Sequence, residues 1–260
     1  RGLGDVYKRQ NSTDSDDITQ QTYKPGKLTI ATGQPAYEPW VMNDKPESGE
    51  GYEAAVAYAV ADKLGFKKSD VVWTRTAFDT AIAPGAKDWD FNIQQFGITD
   101  ERKKAVDFSS SYYNDSQSVV VKKDSKFANA TKVSDLKDAT VGVMVGTLAY
   151  DYAKANIKDD IQTFNDDAAL AQALDAGQID ALVTSTVECV YMVQSEQVKD
   201  AKVLGRLPDS EDKSGMGIVL PKDSKLTAAV TKAVDDLNAD GTIKKLQDKL
   251  SLIHISEPTR

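Results

Sequence analysis

The sequence predicts an α/β fold of two related lobes, each a mostly parallel sheet flanked by helices, with two crossing strands as a hinge. Three observations predict it. From Lys27 onward, short apolar strand patterns alternate with helical ones, and that alternation builds parallel sheets covered by helices. Residues 85–93 and 177–183 share one order, a helix stop, an aspartate, a strand and a polar end, as two related lobes would. A late strand pattern at residues 216–220 (MGIVL) then carries the chain back to the first lobe.

Element by element, residues 27–32 (KLTIAT) read as a strand, followed by a loop at 33–40 (GQPAYEPW). Tyr52, Val56, Val60 and Leu64 recur every four residues and form one apolar helical stripe, with Gly65 placed to end it. Residues 71–73 restart a strand, and 78–82 form a short helix stopped by Pro84 and Gly85. The strand at 90–93 (DFNI) runs directly into a polar stretch at 94–102 (QQFGITDER). Residues 118–121 are a β-branched strand, and 122–125 read as the crossing between lobes. In the second lobe, a strand at 140–145 meets the turn Gly146-Thr147 and a helix from Leu148. Asn165, Asp166 and Asp167 offer N-caps for a helix carrying Ala169, Leu170, Ala173 and Leu174, which Gly177 ends. Residues 179–183 form a strand closing in Thr184-Ser185-Thr186. Leu226, Val230, Val234 and Leu237 make a later stripe, and Asp240 is placed to cap a closing helix.

These signals divide the chain into a disordered or artefactual tail (1–26), a first lobe (27–121), a second lobe (122–215), a return to the first (216–250) and an artefactual tail (251–260). Residues 1–10 (RGLGDVYKRQ) and 252–260 (LIHISEPTR) resemble translated adapter sequence and stand outside fold reasoning. Residues 11–22 are polar and acidic, the composition of a flexible tether.

Composition excludes several function classes. Of 260 residues, 40% are apolar and 28% charged, and no run approaches the roughly 18 apolar residues of a membrane helix. A net charge of −8 argues against nucleic acid, whose phosphates demand a basic surface. The single cysteine, Cys189, rules out an internal disulfide and reads as a small buried hydrophobe. The single histidine, His254, lies in the tail, so a Ser-His-Asp or Cys-His mechanism has nothing to stand on. There is no Walker loop and no His-Glu-x-x-His string, and no cofactor or metal is expected.

One string is specific: Ile98-Thr-Asp-Glu-Arg-Lys-Lys104, followed by Val106-Asp-Phe-Ser109 and the pair Tyr112-Tyr113. With GVMVGT at 142–147 and LNADGT at 237–242, it resembles the polar-amino-acid solute-binding proteins of bacterial ABC importers, the family of the glutamine, histidine and lysine-arginine-ornithine receptors. The resemblance covers residues 27 to about 250. It looks closest to actinobacterial members, through PAYEPW at 35–40, GYEAAV at 51–56 and QQF at 94–96.

The resemblance implies the two-lobed periplasmic-binding-protein fold of type II, closing by hinge motion on a free amino acid. It implies an extracytoplasmic monomer, periplasmic or a cell-surface lipoprotein, that delivers its ligand to a membrane permease and catalyses nothing. It puts Arg102 on the ligand α-carboxylate, a role that suits a permanently charged guanidinium with two parallel donors. An ordinary salt bridge of Arg102 to Glu101 or Asp107 is the alternative. Backbone amides near Gly97, Gly146, Thr147 and Leu148 complete a carboxylate cradle. Tyr37, Trp40, Phe78 and Phe96 are the aromatic candidates, and Gln34 and Gln95 the amide contacts. The chain departs from the family at Ser185, where many members hold the α-ammonium with an aspartate; Glu38 is the preferred substitute, with Glu53 and Glu188 as others. The same three carboxylates serve the rival expectation, a dehydratase-like enzyme on this fold, and a receptor's ligand-sensing domain is a third.

Overall fold

The computed structural model describes residues 17–249. It divides into two compact units. The first holds the chain up to Tyr113 and again from Ser214, and the second is the single excursion between them, Asn114 to Lys213.

The first unit is built on a five-stranded sheet in the order β2-β1-β3-β10-β4. Its strands are β1 (Leu28–Thr32), β2 (Val71–Arg75), β3 (Phe91–Asn92), β4 (Val106–Tyr113) and β10 (Met216–Pro221). β1 is buried at all five residues because it lies between β2 and β3, parallel to both, with Thr32 opposite Arg75 and Ala31 opposite Asn92. β10 enters antiparallel between β3 and β4. The helices are α1 (Tyr52–Lys63), short α2 (Phe78–Ala81) and α3 (Asp100–Lys103), and the return pair α7 (Thr227–Ala239) and α8 (Thr242–Asp248), which pack with α1. The expected stripe of α1 is buried at Tyr52, Val56 and Val60. Gly51 precedes α1 with φ of 103°, and a Cβ there would sit 2.5 Å from the Trp40 carbonyl oxygen, so only glycine lets the helix start this close to the preceding loop.

The second unit repeats the plan in the order β7-β6-β8-β5-β9. Its strands are β5 (Gln117–Lys122), β6 (Val141–Met144), β7 (Ile161–Phe164), β8 (Ala181–Ser185) and β9 (Ala201–Arg206). Its helices are α4 (Leu148–Asn156), α5 (Asp167–Asp175) and α6 (Thr186–Gln194). β6 is parallel to β7 and β8, while β5 lies antiparallel between β8 and β9. In each sheet four strands run one way, and the fifth, β10 or β5, is the first strand laid down after the chain changes units. The expectation of mostly parallel sheets is met in this mixed form.

Three expectations are corrected. The crossings fall at 113–114 and 213–214, not at 121–122 and 215–216, because β5 pairs with β8 and β9 and buries Val119, Val120 and Val121 in the second unit's core. Residues 17–26 are ordered. Ile18–Gln20 form a 3-10 turn, Thr22 is buried, and Asp90 accepts the Tyr23 amide at 2.7 Å on one carboxylate oxygen and the Thr29 amide at 2.7 Å on the other. Asp240 ends α7 as its C-cap, with its carboxylate accepting from the Thr242 amide at 2.9 Å, and Gly241 holds the N-cap position of α8. The tails expected at 1–16 and 251–260, with His254, lie outside the described residues.

Candidate functional site

Each unit gathers its candidate residues at the carboxyl ends of its parallel strands, where open α/β sheets present their ligand loops. In the first unit β1 feeds the Gly33–Trp40 loop, β2 feeds α2 with Phe78, and β3 feeds the turn at 94–97 that leads to Arg102.

Arg102 sits on α3, whose N-cap is Thr99; the Thr99 hydroxyl accepts the Arg102 amide at 3.1 Å. The guanidinium donates from Nη1 to the Gly97 carbonyl at 2.8 Å and stands 5.4 Å from the centre of the Phe78 ring. Phe78 stacks on fully buried Phe96, with centroids 4.6 Å apart. Among the described residues Arg102 forms no ion pair, and Asp107 is engaged by Lys222 and the Thr227 hydroxyl. The salt-bridge alternative therefore fails. What remains is a half-buried cation with most of its N–H donors uncommitted, cradled by one carbonyl and one aromatic face.

The loop after β1 is braced from beneath. Arg75 donates to the Gly33 carbonyl at 2.8 Å and to the Asp44 carboxylate at 2.5 Å, and Asp44 in turn accepts the Ala36 amide at 2.8 Å. The Arg75 hydrogen bond, foremost, and the Ala36 amide hold the Asp44 carboxyl below its usual range. This brace fixes the segment bearing exposed Gln34 and half-buried Tyr37 and Glu38. The Glu38 carboxylate accepts the Asn43 amide at 3.2 Å.

Two expected contacts belong elsewhere. Trp40 is 1% exposed and packs edge-on against Tyr113 at 5.1 Å and Tyr52 at 6.2 Å, so it is core and not a ligand wall. Gln95 turns its amide inward: both its backbone N–H and its Nε2 donate to Glu53, and so does the Tyr112 hydroxyl. Glu53 has no exposed surface, which removes it from the candidates for a ligand ammonium or a general acid. Desolvation, partly offset by these hydrogen bonds, pushes its carboxyl up to about 7.

In the second unit β6 ends in the turn that carries Gly146, Thr147 and Leu148. Thr147 is the N-cap of α4: its hydroxyl donates to the Met144 carbonyl at 2.7 Å and accepts the Tyr150 amide at 3.3 Å. Beside it Val145 is 52% and Leu148 64% exposed. The end of the neighbouring strand β8 delivers Ser185, which caps α6 by accepting the Glu188 amide at 3.2 Å. Glu188 and Asp167 both have raised pKa values, through burial first and then repulsion by a neighbouring carboxylate, Asp167 for Glu188 and Asp166 for Asp167. Cys189 is buried in the core and its thiol is pushed well above its usual range by burial.

Sequence reasoning missed the Asp44–Arg75 brace and the roles of Thr99 and Asp115. Thr99, three residues before Arg102, carried a usable N-cap signal. Asp115, whose carboxyl accepts the Ser116 amide and amides at the start of α6 yet is pushed to about 7 by burial, carried none, because Thr186 and Val187 lie some seventy residues away.

Residues 28–251 match the model of the bacterial extracellular solute-binding proteins, family 3. The chain is 29% identical over 242 residues to an L-arginine-binding protein of Pseudomonas aeruginosa, covering 87% of each chain. It is 30% identical over 216 residues to the L-cystine-binding protein TcyJ of Escherichia coli, covering 82% of this chain and 78% of that one. Among solved structures it resembles an ancestral cationic amino acid solute-binding protein, with a TM-score of 0.56, 29% identity and coverage of 91% and 99%. Two α/β units with the same strand plan, candidate residues at the strand ends and a match over nearly the whole described chain lead to one conclusion: the protein belongs to family 3 of the bacterial extracellular solute-binding proteins.

Proposed function

We propose that this protein binds a free amino acid through its α-carboxylate and serves as the extracytoplasmic receptor of an ABC importer, passing the ligand unchanged to a membrane permease. The observation that carries the reading is the state of Arg102. A guanidinium held by the Gly97 carbonyl and the Phe78 ring, with no carboxylate of its own, at the end of three parallel strands, is a prepared anion receptor. The Thr147-capped start of α4 is a second group of amide donors suited to a carboxylate. Each unit offers its own candidate carboxylate for a ligand ammonium, Glu38 in the first and Glu188 in the second, since Ser185 stands where the resemblance implies an aspartate. The relatives named for arginine and cystine make L-arginine the first ligand to test.

A thermal-shift screen of the twenty amino acids, followed by calorimetry, tests the reading. At least one amino acid is expected to raise Tm and bind. Arg102→Ala is expected to weaken that binding at least a hundredfold and Arg102→Lys about tenfold, since an ammonium lacks the paired donors. Absence of any amino-acid ligand, or an Arg102→Ala variant with wild-type affinity, overturns it.

A further inference from the structure

We infer that Glu53, a buried residue that touches no ligand, is the positioning residue that sets the turn at residues 95–97 and, through it, the pose of Arg102. This rests on the amino-acid-binding reading above and adds a residue to its machinery.

A carboxylate with no exposed surface needs a reason to persist, because a buried charge or polar group is tolerated only when its hydrogen bonds are met. Here all the donors around Glu53 converge on one turn and one strand. Oε2 accepts the Gln95 backbone amide at 2.9 Å and the Tyr112 hydroxyl, and Oε1 accepts the Gln95 side-chain amide. The Tyr112 hydroxyl is carried on β4, and the Tyr52 hydroxyl beside it donates to the Tyr112 carbonyl, so the anchoring end is fixed in the core of the unit. The other end is strained: Gln95 has φ of 55°, a left-handed conformation that non-glycine residues seldom adopt without being held there.

Both contacts of the Arg102 guanidinium hang from this turn. Gly97 supplies the carbonyl that accepts from Nη1, and Phe96 is the surface on which Phe78, the ring facing the guanidinium, is stacked. If Gln95 leaves its left-handed conformation, the Gly97 carbonyl and the Phe96 ring both move, and Arg102 loses its fixed orientation. A misplaced bidentate donor loses affinity steeply because its two hydrogen bonds depend on angle as well as distance.

The test compares wild type, Glu53→Ala, Glu53→Gln and Gln95→Ala, each full length. Amide hydrogen exchange is measured on the ligand-free proteins, and binding of L-arginine and of L-argininamide, which lacks the carboxylate charge, is measured well below Tm. Glu53→Ala is expected to lose protection at residues 95–102 while the second unit is unchanged. It should also bind L-arginine at least tenfold more weakly and lose most of its preference for L-arginine over the amide. Glu53→Gln keeps one oxygen to accept the Gln95 amide and the Tyr112 hydroxyl and puts an NH2 in place of the other, which the Gln95 side chain meets by turning its own amide oxygen toward it, and it should restore all three readouts to within about threefold. Should Glu53→Ala fail to fold, Gln95→Ala, altered at a half-buried position, is expected to show the same changes in smaller measure. Wild-type exchange at 95–102 in the alanine variants, or equal weakening toward L-arginine and its amide, overturns the inference. If wild type binds no amino acid, it is the functional reading that fails, and the exchange measurement alone then decides the role of Glu53.

Discussion

A carboxyl group buried as fully as Glu53 prefers to be neutral, and its hydrogen bonds offset only part of that preference. Its folded-state pKa of about 7 lies above the usual 4.5, so the sign for stability is opposite to that of a salt-bridged acid. Below about pH 4.5 both states hold the proton and nothing is lost. Between 4.5 and 7 the unfolded chain ionises first, so stability falls as pH rises, by a total on the order of 3 kcal/mol at about 1.4 kcal/mol per pKa unit. Urea unfolding from pH 5 to 8 is expected to show this decline, and Glu53→Gln to flatten it. Asp115 contributes a decline of the same sign through its own burial, so the difference between wild type and variant is the informative curve. At this scale the sequence was only partly legible. The motif singled out Arg102 because its residue type and spacing are local, whereas Glu53 and Trp40 were misjudged because burial is decided by Tyr112, Tyr113 and Gln95, partners that sequence spacing does not reveal.

At the scale of elements, α5 gives a clean case of a local signal that the fold uses. Asp166 accepts the Ala169 amide at 2.7 Å, and the helix it starts buries Leu170, Ala171, Ala173 and Leu174. Asp166→Ala should cost about 1 kcal/mol in urea unfolding. The adjacent Asp167 is different: its Oδ1 is buried without a hydrogen-bond partner and its carboxyl is raised by burial and by Asp166. Asp167→Asn is expected to leave stability unchanged or higher, measured in the same way; a loss equal to that of Asp166→Ala would contradict this account. Two of the elements that escaped sequence reasoning did so for separate physical reasons. β7 has only four residues, two of them exposed on a sheet edge, so its apolar pattern is thin. α6 is rich in β-branched and aromatic residues (TVECVYMVQ) and owes its helical form to the Ser185 cap and to buried Cys189, Val190 and Met192. By contrast β1, β6 and the stripes of α1 and α7 were legible, because these inner strands are mostly apolar or β-branched and nearly all buried, and helices facing a core keep a regular spacing.

On the scale of the whole molecule, the second unit is made, among the described residues, from one unbroken stretch of chain. All five of its strands and its two apolar clusters lie between Asn114 and Lys213, and the apolar cluster around Phe96 and Val219 lies entirely in the first unit. The segment 114–213, expressed alone, is therefore expected to fold, with helical and strand circular dichroism and a cooperative urea transition; a featureless spectrum would show that it depends on the rest of the chain. The first unit can be tested in the same way, because Met216 lies opposite Tyr113 in the β4–β10 pairing and a short glycine-serine linker from 113 to 214 can close the gap.

The position of β10 has a consequence in time. It lies between β3 and β4, and both of those strands belong to the first half of the chain, while β10 is made only after residue 215. A ribosome building this protein from its amino end therefore finishes the later unit first. Throughout that interval the earlier unit waits with two strand edges unpaired, and such edges recruit foreign strands unless they are kept apart. Residues 216–249, which carry the strand and the two helices that complete the earlier unit, act as its closing stitch, and a pause in translation just before them prolongs the time those edges stay unpaired.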